Sequence, residues 1–144
     1  MLKIFLVMIV VFLAVIFKGE ENYILKHGQS LPPEMIIVAR EIGIKNPEGI
    51  RLLEKGKIFG QNEIGGLTIG RAILVKKGYK SEQLLCHELI HVKQYQDLGG
   101  IFNFLNKYFY QASKYKYYDM PLEIEARIKT EIYSEQYNLT REEI

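Results

Sequence analysis

The chain opens with an unbroken run of apolar side chains. Residues 4–17 are all apolar. A helix needs about 17–25 residues to cross the hydrocarbon core of a bilayer, so this run forms a short span. A cleaved export signal has an apolar run of similar length, but no small-x-small cleavage motif follows here. We therefore predict a transmembrane anchor or signal-anchor over residues 1–18, attached to the membrane through residues 2–17.

The charges on either side of this run indicate its orientation. Lys3 and the amino terminus precede it, whereas Lys18 is followed closely by Glu20 and Glu21. Positively charged flanks are retained preferentially on the cytoplasmic side of a membrane. We expect a single-pass protein whose amino terminus is cytoplasmic and whose folded part is extracytoplasmic.

After the anchor, the pattern changes from polar to amphipathic. Residues 19–32 mix charged and polar side chains, as expected of a juxtamembrane linker. A folded domain is predicted over residues 33–144. It begins with a helix from Pro33 to about Ile42, because proline favours the first turn and Gly43 supplies a stop signal.

Short apolar pieces separated by glycines come next. They cover residues 50–53, 57–59 and 67–75, and the last is rich in β-branched side chains. Strands of this length with glycine-containing connections are typical of hairpins. We predict a small, mainly antiparallel sheet from these pieces.

Three helical segments complete the predicted domain. Ser81 is a suitable N-cap for a helix over residues 82–98, which Gly99 would end. The other two are predicted over residues 102–118 and 121–138. The fold class is therefore α+β: a short sheet followed by three helices, preceded by the apolar helix.

The helix predicted over residues 82–98 carries His87-Glu88-Leu89-Ile90-His91. Histidines four positions apart lie on one helical face with Cβ atoms about 5–6 Å apart. Both rings can then bind one Zn²⁺ at about 2.0–2.1 Å. The intervening glutamate lies where it can take a proton from a bound water. We predict His87 and His91 as zinc ligands and Glu88 as the catalytic base.

A catalytic zinc site needs a third protein ligand and an open position for water. Asp97 follows His91 by six residues, but on a continuous helix it points about 240° away and is rejected. The remaining histidine, His27, precedes the predicted domain and is expected to be exposed. Gln94 shares the face of His91 and either hydrogen-bonds near the metal or is solvated.

The last helix offers two carboxylates for the third position. Glu123 and Glu125 lie about 200° apart on the helix, so only one can face the metal. Glu125 shares an otherwise apolar arc with Ile128 and Ile132, which makes it the more unusual carboxylate. Periodicity alone leaves the choice open.

The His-Glu-x-x-His sequence followed by a helical Glu-x-x-Ala frame resembles the gluzincin branch of the zincin metallopeptidases, especially small, minimal domains of that kind. The similarity covers about residues 67–127. It implies a zincin-like fold, one Zn²⁺ with Glu123 as third ligand, and a peptide or protein substrate hydrolysed with Glu88 as general base. Arg127 departs from the pattern, because many relatives carry Asp or Asn there to orient a histidine. The alternative is a zinc-stabilised binding or scaffold module without hydrolysis.

Composition narrows the classes of partner. Residues 19–144 carry 17 basic and 17 acidic side chains once Lys3 and Lys18 are set apart. A neutral domain lacks the basic surface that phosphate binding requires, so we expect no nucleic-acid partner. The single cysteine, Cys86, excludes an internal disulfide and a multi-cysteine zinc site.

Aromatic side chains are concentrated in residues 102–118. This segment holds eight of the seventeen aromatic residues together with three lysines. One interpretation is a helix that covers the core, and the other is a helix that lies on the membrane surface. One of its tyrosines is also a candidate for stabilising an oxyanion, without assignment to a position.

Overall fold

The apolar run and the polar stretch after it form one continuous helix. In the computed structural model, which describes residues 1–56 and 65–144, helix α1 extends over Leu2–His27. By length and composition it can cross a membrane. Residues 19–27, expected to be a linker, are thus helical, because no proline interrupts them and the buried Glu21 and Ile24 pack on the domain.

The α+β prediction is confirmed, but the sheet is mixed rather than mainly antiparallel. Within the described residues its order is β1-β2-β4-β3. The outer pairs β1–β2 and β3–β4 are antiparallel, and the central pair β2–β4 is parallel. The strands are β1 Gln29–Ser30, β2 Arg51–Lys55, β3 Gly66–Ile69 and β4 Ala72–Lys76.

Two details of the predicted strands differ from the structure. The apolar piece 67–75 is two strands rather than one, because Gly70 takes a left-handed conformation and the chain turns back on itself. Since β4 rather than β3 lies beside β2, the pairing at the centre becomes parallel. The predicted piece 57–59 lies outside the described residues.

The remaining helices follow the sequence expectations closely, with one shortened. They are α2 Pro33–Ile42, α3 Glu82–Leu98, α4 Ile101–Ala112 and α5 Pro121–Tyr137. Helix α4 ends six residues before the predicted limit of 118. There the carbonyl of Gln111 accepts the amides of both Lys114 and Tyr115, and a short 3₁₀ turn follows at Tyr117–Asp119.

Helix α3 lies at the centre of the packing. Its Leu85, Leu89 and Val92 are fully buried in a core shared with α2 and the sheet. Its Tyr95 belongs to a second apolar cluster that joins α1 and α4. Because α3 is held from both sides and also packs on α5, side chains on its buried face are fixed in position.

Candidate metal centre

Three side chains from two helices converge at the buried face of α3. His87 Nε2 and His91 Nε2 lie 3.2 Å apart. The Glu123 carboxylate approaches these same nitrogens at 3.3 Å and 3.2 Å, respectively. A tetrahedral zinc site with bonds of about 2.0–2.1 Å has ligand–ligand edges of about 3.3–3.4 Å. The three donors are therefore spaced as ligands of one metal ion.

Helix α5 brings Glu123, and not Glu125, to the histidines. Glu125 is instead on the outer surface, where its carboxylate lies 2.9 Å from Lys129. The apolar arc that contains Ile128 and Ile132 also faces outward, with both side chains more than half exposed. Periodicity left the choice open because it does not show which arc of α5 is buried, and the polar arc is the one that packs against α3.

The two other ligands considered in the sequence do not join this group. Asp97 is exposed and forms an ion pair with Lys93 at 2.5 Å. His27 is exposed at the end of α1, where its ring lies 4.5 Å from that of Tyr23.

The charges at the site favour a cation. Burial lowers the pKa of His91, but the hydrogen bond to Glu123 and the charges of Glu88 and Glu123 outweigh it and raise the pKa to about 9. Burial raises the pKa of Glu123, yet its hydrogen bonds to the two histidines hold that pKa well below its usual range. A carboxylate that stays ionised beside two imidazoles is suited to bind a metal ion. The metal ion would then replace the proton that the histidine carries.

Gln94 fixes the orientation of His91. The Gln94 side chain is buried, and its Nε2 donates to the carbonyl of Leu122 at 2.9 Å. Its Oε1 therefore faces His91 Nδ1, at 2.7 Å, and can only accept. The ring hydrogen must lie on Nδ1, which leaves Nε2 free for a metal. Leu122 directly precedes Glu123 on α5. The Gln94 side chain thus holds His91 through its oxygen and the backbone next to Glu123 through its nitrogen.

We expect Gln94→Ala to weaken metal binding by about 10–100-fold, the usual cost of removing the partner of a metal-bound histidine. Competition against a chromogenic chelator measures this affinity. Gln96→Ala is the matched control, since that glutamine also makes hydrogen bonds from α3 but to the backbone of Lys45. Equal affinities for the two variants would contradict the orienting role.

Arg127, which stands where the resemblance leads one to expect Asp or Asn, contacts a different part of the chain. Its guanidinium donates to the carbonyl of Tyr118 and lies 4.6 Å from the centre of that ring. The hydrogen bond that orients His91 therefore comes from Gln94 on α3, and not from an Asp or Asn at position 127 of α5.

Glu88 is buried beside strand β3. The hydroxyl of Thr68 lies 2.6 Å from Glu88 Oε2 and 3.0 Å from the Glu88 carbonyl. On the other side, a Cβ atom at Gly66 would come within 2.9 Å of Glu88 Oε1, so a larger residue there would press on the carboxylate. The strand therefore sets the position of this side chain, and no pattern in the sequence indicates this role for Thr68.

Two cavities meet at Glu88 among the described residues. The larger, about 1090 Å³, lies beside His87 and is lined by charged side chains that include Arg127 and Glu131. The smaller, about 280 Å³, lies beside His91 and Glu123 and is mostly apolar. The residues that line both are Gly66, Glu88, Tyr108 and Tyr117. Glu88 therefore borders both a polar and an apolar cavity.

Tyr108 and Tyr117 are the tyrosines that border both cavities. Burial raises the pKa of each, and the nearby charge of Glu123 raises it further. Both hydroxyls consequently remain protonated and can donate a hydrogen bond. The tyrosines of the aromatic segment that border these two cavities are Tyr108, Tyr117 and, on the larger cavity, Tyr118.

No family model matches this chain, and no curated protein or solved structure matches it significantly.

Proposed function

We propose that this chain is a membrane-anchored zinc metallopeptidase. The observation that carries the proposal is the spacing of His87, His91 and Glu123, which matches the edges of a tetrahedral zinc site. Two imidazoles and one carboxylate are a donor set that suits zinc and leaves a fourth position open. The apolar helix α1 supports the anchor.

The chemistry follows from the residues around that group. A zinc ion bound there would lower the pKa of a water to about 7 and polarise a carbonyl. Glu88, with its carboxylate oriented by Thr68, takes a proton from the attacking water and returns it to the leaving amine. One acid–base residue is sufficient for both transfers, because the first leaves it protonated for the second.

Strand β3 supports a peptide as the substrate. It is the last strand in the order of the described sheet and runs directly beside Glu88 through Gly66 and Thr68. An extended peptide can pair with the backbone of such a strand. A peptide bound in this way would lie beside the strand that contacts Glu88.

Zinc content measured by elemental analysis tests the proposal, using the full chain purified in detergent. We expect one zinc ion per chain in the natural protein and in Glu125→Ala, and loss of zinc in His87→Ala and Glu123→Ala. Glu125→Ala is a matched control, because it removes a neighbouring carboxylate that pairs with Lys129 on the surface.

Absence of zinc from the folded natural protein would overturn the proposal. Loss of zinc in Glu125→Ala alone would refute only the assignment of the third ligand. Zinc without hydrolysis of any peptide would favour a binding or scaffold module instead.

A further inference from the structure

Helix α1 presents two different faces between residues 10 and 17. On one face Val10 is buried, and with Leu13, Ala14 and Phe17 it packs against a cluster that contains Phe104 of α4. The opposite face is apolar but uncovered, with 46–67% exposure of Val11, Phe12, Val15 and Ile16. A continuous exposed apolar face of this kind marks a site of contact with a membrane or with another protein.

The packed face covers the second half of the apolar run. Residues 10–17 are eight of the fourteen apolar residues 4–17, and Val10, Leu13, Ala14 and Phe17 among them pack against the α4 cluster. The whole run is about 21 Å long at a rise of about 1.5 Å per residue, which is less than a hydrocarbon core of about 30 Å. A domain standing clear of the bilayer would have to release residues 10–17 from α4 before the whole run could enter that core. With the contact kept, α4 and this part of α1 lie at the same depth.

The outer surface of α4 and the turn after it suits the boundary between lipid and water. Residues 101–119 contain three lysines and one acidic residue, Asp119. Tyrosine rings are favoured near the headgroups, phenylalanine side chains insert just below them, and lysines there attract anionic lipids. We name these exposed side chains the aromatic–lysine surface: Phe102, Lys107, Tyr110, Lys114, Tyr115, Lys116, Tyr117 and Tyr118.

We propose that the aromatic–lysine surface lies in the headgroup region of the membrane that holds α1. The domain is then seated in the membrane surface and is not suspended above it by a linker. Phe17 and Phe104 line the smaller cavity as well as the contact between α1 and α4. The metal centre accordingly lies next to the lipid. This position can be measured without any reference to zinc or hydrolysis.

Site-specific fluorescence quenching of the full chain in phosphatidylcholine vesicles, with and without phosphatidylserine, tests the proposal. Tyr110→Cys and Tyr118→Cys place a label on the surface, and Phe12→Cys reports on α1. Ile37→Cys is the matched control, an exposed apolar position on α2. The natural Cys86 is fully buried and burial raises its thiol pKa to about 12, so the introduced thiol reacts selectively.

We expect lipid-attached nitroxides to quench the labels at positions 12, 110 and 118, and aqueous iodide to quench the label at position 37. Phosphatidylserine should further reduce iodide quenching at positions 110 and 118. If iodide quenched the labels at positions 110 and 118 as strongly as the label at position 37, the proposal would be overturned. That result would count against it even if the label at position 12 lay in lipid. Protection of both labels from both quenchers would also overturn it, and would indicate a second protein molecule on this surface.

Discussion

Replacing Glu88 with glutamine is expected to lower the rate of peptide hydrolysis by about 10²–10⁴-fold and to leave the zinc content unchanged. Glutamine has nearly the same shape and can still accept the hydrogen bond from Thr68, so the buried site keeps its packing. It cannot take up a proton from water. Hydrolysis of an internally quenched peptide library, with zinc measured on the same samples, separates the two effects.

Glu131→Gln is the control for this substitution, because that carboxylate lies on the wall of the same larger cavity without touching the ligand group. It should hydrolyse the library at nearly the natural rate. If Glu88→Gln retained the natural rate while holding zinc, the assignment of the base would be wrong. If Glu88→Gln lost its zinc, the carboxylate would have to be a ligand.

Gly70→Ala is expected to reduce the free energy of unfolding by about 2–5 kcal/mol. Gly70 has φ +61 and turns the chain between β3 and β4. A non-glycine residue there costs about 1–2 kcal/mol in the backbone alone. Its Cβ would also overlap the buried carboxylate of Glu21, which accepts from the Arg71 amide at 2.9 Å and pairs with Lys18 at 2.5 Å. Displacing that carboxylate adds about 1–3 kcal/mol.

Urea unfolding followed by circular dichroism measures this loss, and a second glycine separates its two causes. Gly78 has φ +88, but a Cβ atom added there would meet nothing within 4 Å, so Gly78→Ala should cost only the backbone part. The difference between the two variants reports the contact with Glu21. Equal losses would mean that this contact between α1 and the sheet contributes nothing to stability.

The helices that the sequence predicted well are those whose limits depend on local chemistry. Three signals set these limits, and each involves residues only a few positions apart. They are the proline at the start of α2, the Ser81 side chain that accepts from the Leu84 amide, and the glycine after α3. The continuity of α1 and the parallel pairing of β2 with β4 depend on contacts between distant segments. Those contacts leave no periodic signal in a single sequence.

The same distinction holds at the candidate site. His87, Glu88 and His91 belong to one helix, so their spacing alone predicted that the histidines would meet. The position of Glu123 depends on how α5 packs against α3, and the periodicity of α5 alone left the choice between Glu123 and Glu125 open. Thr68 joins the site through strand pairing that the sequence does not reveal.

The contact between α1 and α4 changes where the chain can be cut to obtain a water-soluble protein. Composition suggests removing residues 1–18 and keeping the rest. That cut would delete Val10 and Phe17, uncover Phe104 and Leu105, and take away the lysine that pairs with Glu21. It would also open one wall of the cavity beside His91. The shortened protein would thus be less soluble than its composition implies, and its site would be altered. Preparations of the whole chain in detergent or nanodiscs are therefore the appropriate material.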